Sequence, residues 1–178
     1  MPLPLSGRDT VHSSLKENAM RPAASLNLPD SPFADFHLRA ASVTDAPALA
    51  ALLQQLAPDE PRCDTKLLAL RLSELPVSRV VLVAERDGKL LGTCALHLIE
   101  HLAHNFARSA IVEDVVVDED ARGLGVGQAL MGKAIERARA WGCYKVALSS
   151  SQSREAAHGF YANLGFKPHG ISLALTLE

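Results

Sequence analysis

The stretch Ser109-Ala-Ile-Val-Glu-Asp-Val-Val-Val-Asp118, followed by Arg122-Gly-Leu-Gly-Val-Gly127 and then Gln128-Ala-Leu-Met131, decides the fold. Ser109 to Val117 is dense in β-branched residues and reads as a strand. Gly123, Gly125 and Gly127 mark a tight turn. From Gln128 to Trp141 the residues Met131, Ala134, Ile135, Ala138 and Trp141 recur at helical spacing, so one face packs on a core. Lys133, Glu136, Arg137 and Arg139 form its solvated face. Tyr144-Lys-Val-Ala-Leu148 is the next strand. Strand, crossover helix and strand in that order require at least one parallel pair.

Upstream, Phe36-His-Leu-Arg-Ala alternates as a strand. Thr44-Asp45 then caps a helix that lines up Leu49, Leu52, Leu53 and Leu56. Asp64 starts a second helix with Leu67, Leu68 and Leu72, ending before Pro76. Val80 to Ala84 is a buried strand, Asp87-Gly88 a hairpin turn, and Leu90 to Leu98 the returning strand. Downstream, Arg154 to Asn163 reads as a helix, and Gly165 to Leu177 as a closing hairpin. The expected order is β-α-α-β-β-β-α-β-α-β-β. Residues 1 to 34 lack periodicity and are punctuated by prolines; they read as an irregular arm, and Met20 offers a second possible start.

Composition sets outer bounds. The 178 residues suit one domain plus a tail, and 48 % hydrophobic residues can supply a full core. A net charge of −2 gives no footprint for nucleic acid. Apolar runs fall far short of the roughly 18 residues of a membrane span. The three cysteines, Cys63, Cys94 and Cys143, are widely spaced, which argues against a disulfide scaffold or a cysteine-based zinc site and for a reducing compartment. With no signal-peptide pattern at the N-terminus, cytoplasm is the expected location.

The glycine turn is a candidate anion cradle. Its glycines let backbone N–H groups approach a phosphate, the following helix adds unpaired donors and a positive dipole end, and Arg122 adds a fixed charge. Two nucleotide motifs fail here. G-x-G-x-x-G would need glycine at Gln128 or Leu130. Gly127-Gln-Ala-Leu-Met-Gly-Lys-Ala134 approaches a P-loop, but Ala134 has no hydroxyl for Mg²⁺.

The spacing that fits is Arg-x-x-Gly-x-Gly at Arg122, Gly125 and Gly127. Together with Val115-Val-Val-Asp118 and Gly159-Phe-Tyr-Ala-Asn-Leu-Gly-Phe166, it resembles the GNAT family of N-acetyltransferases, over about residues 36 to 178. The resemblance implies a domain spanning 35–178 of the α/β (α+β) class. Its mixed, mostly antiparallel central sheet would be flanked by helices and contain a β-α-β unit for acetyl-CoA, the cosubstrate. It implies that Arg122, Gly123, Gly125, Val126, Gly127 and Gln128 hold the pyrophosphate, and that Val115 and Val117 run along the pantetheine arm through their backbone. A homodimer is a further family-level expectation.

Acetyl transfer to an amine needs a deprotonated amine, a stabilised oxyanion and a protonated leaving thiolate. Tyr161 stands where the family's tyrosine acid stands. Strand alternation puts Ile111, Glu113, Val115 and Val117 on one face, and makes Glu113 the candidate base, acting through water. Asp114 is the runner-up base or a contact for the substrate ammonium, and a β-bulge would exchange the faces. Where many members carry Asn, seven residues before the tyrosine, this chain has Arg154, which suggests an anionic group on CoA or on the acceptor. Glu113-Asp-Val-Val-Val-Asp118 and Gly142-Cys-Tyr-Lys-Val146 look like glucosamine-6-phosphate N-acetyltransferases. Leu96-His97 with His101 and His104, and Arg154 with Ala157-His158 before Phe160-Tyr161, look like aminoalkylphosphonate N-acetyltransferases. A small, anionic primary amine is therefore the expected acceptor. A protein N-terminus or lysine, and a non-catalytic acyl-CoA-binding module, are the alternatives. His97, His101 and His104 read as loop or site-lining residues, with a metal site as the competing account; His158 and His169 read as structural or rim residues.

Overall fold

The computed structural model describes residues 36–177; the arm expected over residues 1 to 34 lies outside them. The strands are β1 (His37–Ala40), β2 (Arg79–Arg86), β3 (Lys89–Glu100), β4 (Arg108–Val117) and β5 (Cys143–Leu148). The helices are α1 (Ala46–Leu56), α2 (Thr65–Ser73), the single turn α3 (Ala103–Phe106), α4 (Val126–Ala140) and α5 (Glu155–Asn163). One sheet runs β1-β2-β3-β4-β5, antiparallel except for the β4–β5 pair, which is parallel through the crossover helix α4. The mixed, mostly antiparallel sheet is the one the sequence implies.

Two helical layers clamp the sheet. On one face Leu49 and Leu52 of α1 bury against Val83, Leu90 and Val116. On the other, Leu130, Met131, Ala134 and Ala138 of α4 pack on Leu82, Ala84, Cys94, Leu96 and Val112. A Cβ on Gly92 would lie 2.8 Å from the Val116 carbonyl and 3.1 Å from Leu130, so glycine there sets the close approach of α4. Among the described residues no helix is long and apolar enough to cross a membrane.

Caps follow the sequence with one exchange of roles. The Asp64 carboxylate accepts from the Lys66 and Leu67 amides and starts α2 as expected. Asp45 stands at the N-cap of α1 but does not bond its first turn. Its carboxylate accepts from the Ser42 amide (2.6 Å) and from two Arg39 nitrogens (2.7 and 2.8 Å), tying β1 to the start of α1.

The closing hairpin is not formed. Past α5, no strand occurs among residues 164–177, and Ile171, Leu173, Leu175 and Leu177 are 83–90 % exposed. The segment comes close to β5, with His169 Nε2 3.2 Å from Lys145 Nζ, but makes no strand pairing with it.

Candidate active site

The site begins with a defect in β4. Glu113 pairs with Ala95, but the next pair along β4 is Val116 with Thr93. Asp114 and Val115 therefore stand together opposite Cys94, a bulge, and Asp114 adopts a left-handed φ of 52°. This corrects the alternation expected from sequence. Ile111 and Glu113 face the α1 side with Ala95 and His97, whereas Val115 and Val117 pack into the α4 layer. Glu113 and the two valines are on opposite faces, as a bulge requires.

The bulge coincides with a split in the sheet. Pairing between β4 and β5 ends at Val112 and Leu148. Beyond it, Glu113 to Val117 have no strand neighbour on that side among the described residues, and their edge borders a cavity. A cavity of 930 Å³ follows this free edge, bounded by Val115, Val117, Arg122, Gly123 and Gly125 and by α5 through Phe160 and Tyr161.

At one end of this cavity lies the glycine turn. Gly123 and Gly125 have φ of 78° and 80°, conformations glycine adopts without penalty. Gly125 is the N-cap of α4, and the first backbone bond of that helix runs from the Ala129 amide to the Gly125 carbonyl. Among the described residues the amides of Val126, Gly127 and Gln128 have no backbone acceptor, and all three residues line the cavity. A Cβ on Gly127 would lie 3.3 Å from Phe160, so the cradle also rests closely on α5. Free donors, a helix N-terminus and Arg122 fit a pyrophosphate.

A second cavity of 660 Å³ adjoins the first. Leu56, Val115, Arg154, Ala157 and Tyr161 line both, so Arg154 and Tyr161 stand at the junction. Glu113 and Asp114 line the second cavity, with Gln54, Glu60, Cys63 and Ser149 to Ser151. The serine run and the loop after α1 are site residues that sequence reasoning missed. The end of β5 at Leu148 was the available signal, because strand ends deliver side chains to clefts of α/β sheets.

The Tyr161 ring packs edge-on against Phe160 and Phe166, and its burial pushes the phenol above its ordinary range, opposed by the nearby Arg154 cation. The phenol is thus both a core ring and a cavity wall. Arg154 donates from Nη2 to the Leu56 carbonyl (3.2 Å), and none of the ion pairs among the described residues includes it. Burial pushes the Cys94 thiol, beneath the bulge, up to about 12, which keeps it inert at neutral pH.

The histidines separate. His97 approaches Glu113, with Nε2 3.3 Å from Oε2. His101 bonds Ser109 Oγ (2.8 Å) and neighbours His104 and Tyr144 at the opposite end of β4. No group of three metal-ligating side chains occurs among the described residues. His158 Nε2 lies 2.9 Å from the Ser151 carbonyl, on the loop that walls the second cavity.

Comparison with known proteins follows this geometry. The model of the acetyltransferase (GNAT) family matches residues 47–166. Glucosamine 6-phosphate N-acetyltransferase 1 of Oryza sativa subsp. japonica is 35 % identical over 128 residues, covering 70 % of this chain and 76 % of that protein. The aminoalkylphosphonate N-acetyltransferase of Salmonella typhimurium is 35 % identical over 86 residues, covering 48 % of this chain and 54 % of that protein. The crystal structure of glucosamine-6-phosphate N-acetyltransferase from Arabidopsis thaliana superposes with a TM-score of 0.72 at 24 % identity, covering 80 % of this chain and 99 % of that one, and so shares the fold.

Proposed function

Because this chain belongs to the acetyltransferase (GNAT) family, whose N-acetyltransferases use acetyl-CoA as cosubstrate, we propose that it acetylates a small primary amine that also carries a phosphate or phosphonate. The observation that carries this reading is Arg154. Its guanidinium borders both cavities, and among the described residues it has no carboxylate partner. The donors that the Leu56 carbonyl leaves free suit a phosphorus oxyanion. The rice and Salmonella relatives are named for glucosamine 6-phosphate and for aminoalkylphosphonates, and both names join an amine to such a group. A cavity of 660 Å³ has the size of a small-molecule site.

In this reading acetyl-CoA lies along the free edge of β4. Its pyrophosphate meets the amides of Val126, Gly127 and Gln128 with Arg122, and its pantetheine arm pairs with the backbone of Val115 and Val117. The acceptor enters the second cavity. Glu113 takes the ammonium proton through water, and Asp114 holds the ammonium. The freed amine attacks the thioester carbonyl directly, and collapse of the adduct expels the CoA thiolate. Tyr161 protonates that thiolate, and the proton that the acylated nitrogen then sheds restores the phenol through solvent; burial keeps the phenol protonated at neutral pH, the form a donor needs.

The test is a thiol-release assay with acetyl-CoA and matched pairs of phosphorylated and neutral amines. The expected result is a preference for the anionic member of at least about tenfold in kcat/KM, equivalent to about 1.4 kcal/mol. Arg154→Ala should raise KM for the anionic amine and leave the neutral one unchanged. Equal kcat/KM for both in the unmodified enzyme refutes the anionic acceptor. A change confined to the KM of acetyl-CoA in Arg154→Ala assigns the guanidinium to CoA instead.

A further inference from the structure

His97 shares a sheet face with the candidate base. It lies opposite Ile111 on β4 and opposite Arg79 on β2, while Ala95 lies opposite Glu113. Directly paired residues project to one side, so Arg79, His97 and Glu113 form a diagonal row across three strands. His97 Nε2 sits 3.3 Å from Glu113 Oε2, close but off line for a direct hydrogen bond; that nitrogen and Arg79 Nε are both buried without a hydrogen-bond partner. An unpaired buried nitrogen is destabilising, and its presence calls for an account. The two side chains differ in exposure, 59 % for Glu113 and 28 % for His97. Glu113 lines the second cavity and His97 does not, so His97 can act on the acceptor only through Glu113. Among the described residues the charged groups beside His97 on this face are Arg79 from β2 and Glu113 from β4; of the helices packed there, α1 has no ionisable side chain, and α2, which joins the layer through Leu68 and Leu72, carries Lys66 and Arg71, both exposed.

We infer that His97 is a positioning and relay residue that holds the Glu113 carboxylate and carries the acceptor's proton away from it. This rests on Glu113 being the base. The ammonium N–H breaks and its proton passes through water to Glu113 Oε2. A small rotation of either side chain lines up the acid with Nε2, which takes that proton, and the ring then yields a proton from Nδ1 to water. Glu113 returns to carboxylate and His97 to the neutral ring, its tautomer restored by exchange with solvent. One proton enters the row and one leaves.

The experiment measures the pH dependence of kcat/KM for the amine, at saturating acetyl-CoA, in the unmodified enzyme, His97→Gln, Glu113→Gln and the double variant. Gln keeps the size and polarity of the ring but carries no proton. His97→Gln should lower kcat/KM about tenfold at pH 7, leave the KM of acetyl-CoA unchanged, and alter the shape of the pH profile, because the second proton carrier is gone. The double variant should be no slower than Glu113→Gln, since His97 works only through that carboxylate. A His97→Gln profile that superimposes on the unmodified one, while Glu113→Gln is impaired, overturns the relay and leaves the base in place. Unimpaired Glu113→Gln overturns the base reading itself. Calorimetric acetyl-CoA binding verifies the fold of each variant. Should His97→Gln fail that control, His97→Ala supplies the second measurement: added imidazole should restore its rate, and an acetyl-CoA-binding His97→Ala enzyme that imidazole does not accelerate also overturns the relay.

Discussion

Tyr161 shows how one side chain serves packing and chemistry together. Its ring contacts Phe160 and Phe166, which fixes the phenol direction, and its edge borders both cavities. Removing the hydroxyl while keeping the ring separates the two roles. Tyr161→Phe should keep the melting temperature within a few degrees and leave the KM of acetyl-CoA unchanged. It should lower kcat by about 10²-fold if thiolate protonation limits the rate. Steady-state kinetics beside a thermal melt checks both halves; an unchanged kcat would mean that water protonates the thiolate. This residue was legible in the sequence because Gly159-Phe-Tyr-Ala-Asn-Leu-Gly-Phe166 is a long string. Arg154 was legible only as a departure from a pattern, and its two-cavity position emerges from the fold. In the sequence His97 stands out only beside Leu96, His101 and His104, whereas its partner, Glu113, comes from the adjacent strand.

At the scale of elements, the sequence offers the bulge only as an alternative to plain alternation, and the structure places it at Asp114 and Val115. Glu113-Asp-Val-Val-Val carries no glycine, and β-branched residues on either side predict an uninterrupted strand. The weak cue is Asp114, one of the few residue types that enter the left-handed region with modest penalty. The glycine turn, by contrast, was readable because Gly123 and Gly125 need the positive φ that their residue type permits. The start of α1 was misread in kind. Asp45 was expected to cap a helix, yet its carboxylate locks β1 to α1 through Arg39, which also reaches Glu85 on β2. The Arg39 guanidinium, with help from the Ser42 amide against burial, holds the Asp45 carboxyl down at about 2. An aspartate whose folded value is depressed adds stability above its unfolded value near 3.9 and loses it as pH falls through the folded one. Asp45→Asn should therefore cost about 2 kcal/mol at pH 7, with the gap to the unmodified protein closing between about pH 4 and pH 2. Urea unfolding at a series of pH values measures this. A gap that stays constant down to pH 2 would mean that the amide loses packing rather than charge.

At the scale of the molecule, the sheet has an open side and the chain has an uncovered stripe. Among the described residues no strand lies beside the outer edge of β5, and a groove of 330 Å³ flanks that edge, walled by Ile135, Ala138, Val146, Leu164 and Phe166, with Arg139, Lys145 and Lys167 around them. The C-terminal segment presents Ile171, Leu173, Leu175 and Leu177 at every second position, all 83–90 % exposed. Each feature alone is a hazard: a bare edge recruits strands, and an exposed apolar stripe recruits anything apolar. Together they are complementary, since a strand with one apolar face is what an edge above an apolar groove accepts. The hairpin expected over Gly165 to Leu177 and the expected homodimer are two ways of joining them. Between α5 and the stripe, Lys167-Pro-His-Gly170 runs without helix or strand, and the stripe makes no pairing with β5 of its own chain. In the second way each copy lays its stripe on the β5 edge of the other, and a reciprocal exchange closes at two copies. Light scattering on the purified protein should then give twice the mass of the chain, and Leu173→Lys with Leu175→Lys should return it to one copy, because two more ammonium groups lose their apolar contacts and meet the cations of Arg139, Lys145 and Lys167 around the groove. A monomeric unmodified protein would place the stripe on its own edge, as the hairpin reading expects. A dimer that survives both lysines would locate the interface elsewhere on the surface.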